Sequence, residues 1–370
     1  MQKNSATTIV SYAILCGGKM NILIEGGDLN PPFIEGTRNI ARTYFKELQK
    51  SGHNVIVLTK RKGITSKRLH AKEEIVDGIK YYRWSNTIDL FFTYKKIVRA
   101  EKIDLIHIFA KGIRPPNYLR LLKHGNNIPI VLSSLGYPFW EEKDKKNFDK
   151  FLLLVDKLII TSKTVFENLY GFDTKKIIYL PYGIDIEKFK PMPKKHDTTV
   201  ILCLRKPSRE LIDAYNETAK TAKTCLILSK IESGNEITNY IKETGTKNVS
   251  YVDFVDCVED LINSADIVIE LHPKAGFLDC ASPPLILLEA MSCGKKIAAT
   301  DINEVRDIII DGKNGILMDN TSKGIHAAIR KAISNNKTGL NARQTIVAEY
   351  DISKLIKKYE LLYAGLIGGR

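Results

Sequence analysis

The sequence predicts an α/β chain of two domains, each a parallel sheet wrapped by helices. Short runs that are apolar throughout alternate with amphipathic stretches of helical length, the pattern of strands covered on both faces. A length of 370 residues with 44% hydrophobic content suffices for two cores. Near the middle, the proline- and lysine-rich segment from Pro181 to His196 breaks the alternation and has the polar composition of an exposed hinge. Domains are therefore expected at 1–183 and 184–350, with 1–19 as an N-terminal extension and 351–370 as a terminal helix.

Met20 to Gly27 reads as the first strand, followed by a helix from Arg38 to Lys50 and a strand from Asn54 to Thr59. Further apolar runs at Asp104–Phe109, Ile130–Ser133 and Lys157–Thr161 complete the strands expected in the first half. In the second half Thr199–Leu204, Cys225–Leu228 and Asp266–Ile269 have the same character, and the short helix Glu259–Ser264 precedes the last of these. Lys296–Thr300 follows as another short strand.

Six cysteines show no paired metal-ligand spacing and several lie in core runs, which fits a reduced, cytoplasmic setting. The apolar run Thr8–Cys16 is shorter than the ~20 residues that span a bilayer. Residues 1–185 hold 30 Lys+Arg against 18 Asp+Glu, whereas 186–370 hold 26 against 24, so the basic excess belongs to the first domain. Nucleic acid is not expected as a partner, because no zinc-ligand set or aromatic-basic motif accompanies the charge. Asp-x-Asp, Gly-x-Gly-x-x-Gly and a Walker lysine are all absent, which removes the usual divalent-metal, dinucleotide and P-loop signatures.

The most informative stretch is Ser282-Pro283-Pro284-Leu285 through Glu289-Ala290-Met291 to Gly294. A serine before two prolines predicts a helix start capped by the serine hydroxyl, and Gly294 a helix stop. The prolines carry no N–H, so the first free amides belong to Leu285 and Ile286. Glu289 lies four residues after Leu285 on the same face. Such an end suits a phosphate, with a carboxylate one turn away to accept from a sugar hydroxyl.

This stretch resembles the donor-binding domain of glycosyltransferase family 4, in which a loop leads into a Leu-Glu-Ala-Met helix. Glu304 to Leu317 is similar to the next helix, turn and strand of that family, Leu180-Pro181-Tyr182-Gly183-Ile184-Asp185 to its interdomain signature, and Glu259 to Ile269 to its short helix before a buried strand. The resemblance covers about residues 20 to 350. It implies the GT-B architecture, two Rossmann-like domains facing a central cleft, with the terminal helix, about Ile352 to Tyr363, crossing back to the first domain.

The resemblance also implies roles. Cations on the departing diphosphate are expected at Arg205, Lys206 and Arg209; the family's lysine aligns with Lys206, while its arginine has no clear counterpart and Arg205 or Arg209 fills that place. Glu289 matches the glutamate that binds the nucleotide ribose, and Ser282, Leu285 and Ile286 form the donor-binding helix start. Gly36 matches the glycine that closes against the donor phosphates, and His107 the histidine of an Asp-x-x-His element on the acceptor side. The family's first glutamate falls at Ala281, with Asp279 the nearest substitute and Glu270 and His272 more distant ones; its His-Gly is Leu135-Gly136 here.

The expected function is thus a metal-independent, retaining transferase that moves a sugar from a nucleotide-diphosphate sugar to a glycan or polyprenyl-linked acceptor and needs no cofactor. Basic residues at 60–62, 67–68, 95–96 and 143–150, interleaved with Phe91, Phe92, Tyr94, Phe139, Trp140 and Phe148, are expected to attach the first domain to the anionic inner face of the cell membrane. The alternative of a different class is a non-catalytic GT-B subunit that binds a nucleotide or glycan, motivated by Ala281 and Leu135. A GT-B epimerase would need several cleft carboxylates, which the sequence does not offer.

Overall fold

The computed structural model describes residues 18–369 apart from 34, 64–66, 137–147, 170–171, 173–174, 194–196, 254, 256 and 273–281. Two compact units emerge, one running to Gly183 and including Ile352–Arg370, the other Ile184–Asp351.

The first unit contains β1 (Asn21–Glu25), β2 (Asn54–Lys60), β3 (Glu73–Val76), β4 (Ile79–Trp84), β5 (Leu105–Ala110), β6 (Ile130–Ser134), β7 (Lys157–Ile160) and β8 (Ile177–Tyr179). They form one sheet in the order β3-β4-β2-β1-β5-β6-β7-β8. All neighbours are parallel except β3 and β4, joined through Asp77 and Gly78, both at positive φ as a tight hairpin turn requires. Apolar side chains of β1, β2, β5 and β6 are buried because helices cover the sheet on both faces. The helix Gly36–Lys50 turns Ile40, Ala41, Tyr44, Phe45 and Leu48 inward, a 3.6-residue stripe. The terminal helix Ile352–Gly368 packs against it, with the Tyr359 ring 4.7 Å from that of Tyr44. Gly183 is glycine for a local reason: a Cβ there would lie 2.7 Å from the Cα of Ile352.

The second unit holds β9 (Thr199–Cys203), β10 (Thr224–Ser229), β11 (Val249–Val252), β12 (Ile267–Glu270), β13 (Lys296–Thr300) and β14 (Ile316–Met318), parallel throughout in the order β11-β10-β9-β12-β13-β14. Ile201, Leu226 and Ile269 from the sheet meet Leu211, Tyr215, Ile325 and Ile329 from helices to form its core. In each sheet the chain runs outward from one strand and then returns to that strand's other side. The reversals fall between β1 and β5 and between β9 and β12. Side chains at the carboxyl ends of those pairs therefore meet where such sheets leave a crevice.

Candidate functional site

In the second unit the helix after β12 begins at Leu285, with Pro284 rather than Ser282 in the capping position and no side-chain cap. The expected serine cap is thereby corrected. Pro284 is held at φ −61° and ψ 133°, which turns the chain into the helix, and its carbonyl accepts from Leu287 at 3.0 Å and Leu288 at 3.4 Å. Leu285 and Ile286 precede any intrahelical acceptor, so their amides are the donors this end offers. Parallel topology puts that start at the carboxyl edge of the sheet.

One turn on, the Glu289 carboxyl is buried and makes no hydrogen bond among the described residues. Burial raises its pKa to about 7; the Lys188 cation, itself 3.4 Å from Glu259, lowers it, and the Glu259 charge adds a smaller upward push.

The three expected cations part company. Arg205, just beyond β9, reaches across the β9/β12 reversal and donates to Oε1 of Glu270 at 3.3 Å. Glu270 ends β12 and is fully buried, and Nε2 of His272 lies 3.1 Å from the same oxygen, out of hydrogen-bond alignment. Beyond them, Thr300 accepts from the His272 amide at 2.9 Å and Asn320 donates to the His272 carbonyl, which fixes this strand end. Lys206 is exposed at positive φ, its backbone amide 3.2 Å from Glu232. Arg209 opens the helix Arg209–Ala219, pairs with the exposed Glu236 at 3.1 Å and lies over the Tyr240 ring, so it is drawn away from Glu270.

In the first unit Gly36 opens its helix behind Glu35, whose carboxylate already neighbours Arg38 at 3.6 Å and pairs with Lys111. His107 is a core residue, which corrects its expected place on the acceptor side. Its Nδ1 lies 2.6 Å from the Tyr363 hydroxyl and its Nε2 2.8 Å from that of Ser133. Full burial lowers its pKa to about 3 and leaves neither ring nitrogen for a ligand. Leu135 is buried as well. Tyr94 and Phe148 belong to the core rather than to a membrane face, whereas Phe92 is exposed. Asp279, Ala281, Phe139 and Trp140 lie outside the described residues.

Comparison with known proteins gives this geometry a family. Residues 34–188 match the family described as Glycosyltransferase Family 4, and residues 204–335 match Glycosyl transferases group 1. The chain is a glycosyltransferase, matched by Family 4 in its first part and by group 1 in its second. It is 29% identical over 315 residues to an uncharacterized glycosyltransferase of Methanocaldococcus jannaschii, MJ1069, covering 77% of this chain and 73% of that one. Among solved structures, sucrose-phosphate synthase from Thermosynechococcus elongatus has a TM-score of 0.72 at 16% identity, covering 95% of this chain and 100% of that one. HepE of Anabaena, solved with UDP and glucose, has a TM-score of 0.69 at 15% identity and covers 92% and 98%. The glycosyltransferase fold is thus GT-B, with a Rossmann-like sheet in each unit.

Proposed function

We propose that this glycosyltransferase uses its second unit to bind a nucleotide-diphosphate sugar and passes the sugar, with retention of configuration, to a glycan or lipid-linked acceptor. The observation that carries the reading is Glu289, a buried carboxyl that makes no hydrogen bond among the described residues, one turn inside a helix whose first amides have no acceptor among them. A nucleotide diphosphate fits both halves of that arrangement: phosphate at the helix end, ribose hydroxyls on the carboxylate. That HepE was solved with UDP and with UDP-glucose favours the same class of donor.

During transfer the bond from the anomeric carbon to the phosphate oxygen breaks as the bond to the acceptor oxygen forms. The acceptor proton passes to the departing phosphate, so no side-chain base is required. Arg205, held on Glu270, together with Lys206 and the Leu285 and Ile286 amides, would meet the growing negative charge. No metal is needed in this scheme, since cations and the helix dipole do the neutralising.

The lipid-linked option has a surface behind it. Ile88 and Phe92 are 72% and 66% exposed on one face of the helix Thr87–Glu101, and Ile75 is 72% exposed on β3. Lys96 on the same helix stripe pairs with Glu73, two residues from Ile75, so these apolar groups share a face with lysines around it. Such a face suits an anionic bilayer. No helix among the described residues is long and apolar enough to cross a membrane, so attachment would be peripheral.

The deciding experiment is hydrolysis and binding of a labelled panel of UDP-, GDP-, ADP- and dTDP-sugars by the purified protein, with and without EDTA. One donor should be bound and turned over in both conditions. Failure to bind any of them, or strict dependence on manganese, would overturn the proposal.

A further inference from the structure

The β1/β5 reversal of the first unit carries a polar group that the donor chemistry leaves unused. Glu25 closes β1, is 1% exposed, and its Oε2 has no hydrogen-bond partner. Across the reversal, on the segment that follows β5, the Arg114 guanidinium lies 3.6 Å from that oxygen, too far for a hydrogen bond, and its Nε is also unpartnered. The phenol of Tyr118, near the start of the helix Pro116–Lys123, also faces Glu25, close enough to act on its charge as a donor but out of hydrogen-bond alignment. Strand β1 then leaves through Gly26 and Gly27, and the missing side chain of Gly27 opens the approach to Arg114, 3.6 Å from where its Cβ would stand.

Three buried polar atoms short of an aligned partner at one strand end leave a desolvation cost uncompensated. They are retained side by side at the position where doubly wound sheets bind ligands. Their chemistry selects the ligand. Glu25 Oε2 needs a donor, while Arg114 Nε and the Tyr118 hydroxyl can both donate. A hydroxyl group does both tasks at once. A phosphate or carboxylate only accepts, and would set a second anion against Glu25. Burial raises the Glu25 pKa, while the Arg114 charge, the Tyr118 hydroxyl and the Lys60 charge act against that rise.

We propose that Glu25, Arg114 and Tyr118 form a hydroxyl-binding subsite for a sugar of the acceptor. Glu25 accepts from one hydroxyl and Arg114 and Tyr118 donate to the same or the adjacent oxygen. The ligand's binding is a property of the first unit alone, although its role in transfer rests on the function proposed above.

The test uses the full chain and octyl glycosides of glucose, galactose, mannose and N-acetylglucosamine as probes. Saturation-transfer NMR without any donor reads binding directly, and UDP titration of the same samples reads the second unit separately. At least one glycoside should bind the wild type. Glu25→Gln and Tyr118→Phe should each weaken it about ten-fold, the cost of one hydrogen bond to a ligand, with melting temperature and UDP affinity retained. No binding by any glycoside, or equal binding by the variants, would mean that the three groups hold water only and overturns the subsite. Loss of UDP binding with glycoside binding intact would instead count against the donor reading.

Discussion

Replacing Glu289 with glutamine separates what this carboxyl does for the donor from what it costs the fold. Glutamine keeps the shape and helix propensity but cannot ionise. In the folded protein the carboxyl holds its proton up to about pH 7, against 4.5 for a solvent-exposed glutamate. Between those values the unfolded chain has released a proton that the folded chain retains, so folding stability from this group falls as pH rises through the window and levels off above it. The displacement corresponds to roughly 3 kcal/mol at pH 8 and under about 1 kcal/mol at pH 5, taking 1.36 kcal/mol per pKa unit. Glu289→Gln should therefore be more stable than the wild type at pH 8 by about 2 to 3 kcal/mol, with the advantage shrinking towards pH 5. Denaturant melts at the two pH values read this difference.

The same variant should bind the donor nucleotide about ten-fold or more weakly, because a charge-assisted bond to ribose is worth about 1.5 to 3 kcal/mol. Hydroxyl donors favour the ionised carboxyl, so binding to the wild type near pH 6.5 should also release a proton, seen by calorimetry in two buffers of different ionisation enthalpy. Glu289→Gln should abolish that release. Equal affinity, or a stability difference that does not change between pH 5 and pH 8, would refute the assignment.

Other substitutions test the neighbouring groups. Arg205→Ala should lower turnover about a hundred-fold, the range for a dedicated charge stabiliser, while Arg209→Ala, already engaged by Glu236 and Tyr240, should lose far less; the reverse order in steady-state rates would move the catalytic cation to the helix start. His107→Ala should destabilise the fold by about 2 to 4 kcal/mol, through a cavity and two stranded hydroxyls, with UDP affinity unchanged. Because the folded His107 pKa is depressed to about 3, the wild type should lose stability from this residue as pH falls from 6.5 towards 3, readable in acid melts. Co-sedimentation with liposomes should rise with anionic lipid, fall with salt and drop when Ile88→Glu and Phe92→Ser are combined; indifference to anionic lipid at low salt removes the membrane surface.

How much of this the sequence made legible depended on the range of the interaction involved. Strands such as Lys296–Thr300 were readable because burial on both faces leaves only apolar residues there, and the helix at Leu285 because prolines and Gly294 bracket it. Its cap was misassigned because Pro284, held by its own ring, makes a side-chain cap unnecessary. The β3–β4 hairpin went unread although Asp77-Gly78 signals it, since Glu73, Glu74 and Ile75 are exposed and carry no core pattern. His107 has the sequence context of a site residue, yet its partner Tyr363 stands 256 positions away, beyond any local pattern. Charge runs likewise did not distinguish exposed Phe92 from core Tyr94 and Phe148.

The two groups best placed for chemistry are non-local in the same manner. Taken by itself, each sheet sets a fully buried glutamate at the end of one strand and an arginine beyond its neighbour across the reversal: Glu25 with Arg114, Glu270 with Arg205. Glutamate ending an apolar run looks, in sequence, like the strand meeting solvent. Only when the sheet order puts β5 beside β1, and β12 beside β9, does each acid become a buried anchor for a half-exposed cation. The difference between the pairs then follows from distance. At 3.3 Å Glu270 holds Arg205 by a hydrogen bond and fixes a charge. At 3.6 Å Arg114 leaves the Glu25 oxygen without a bond, which suits an acid that must accept one from a ligand.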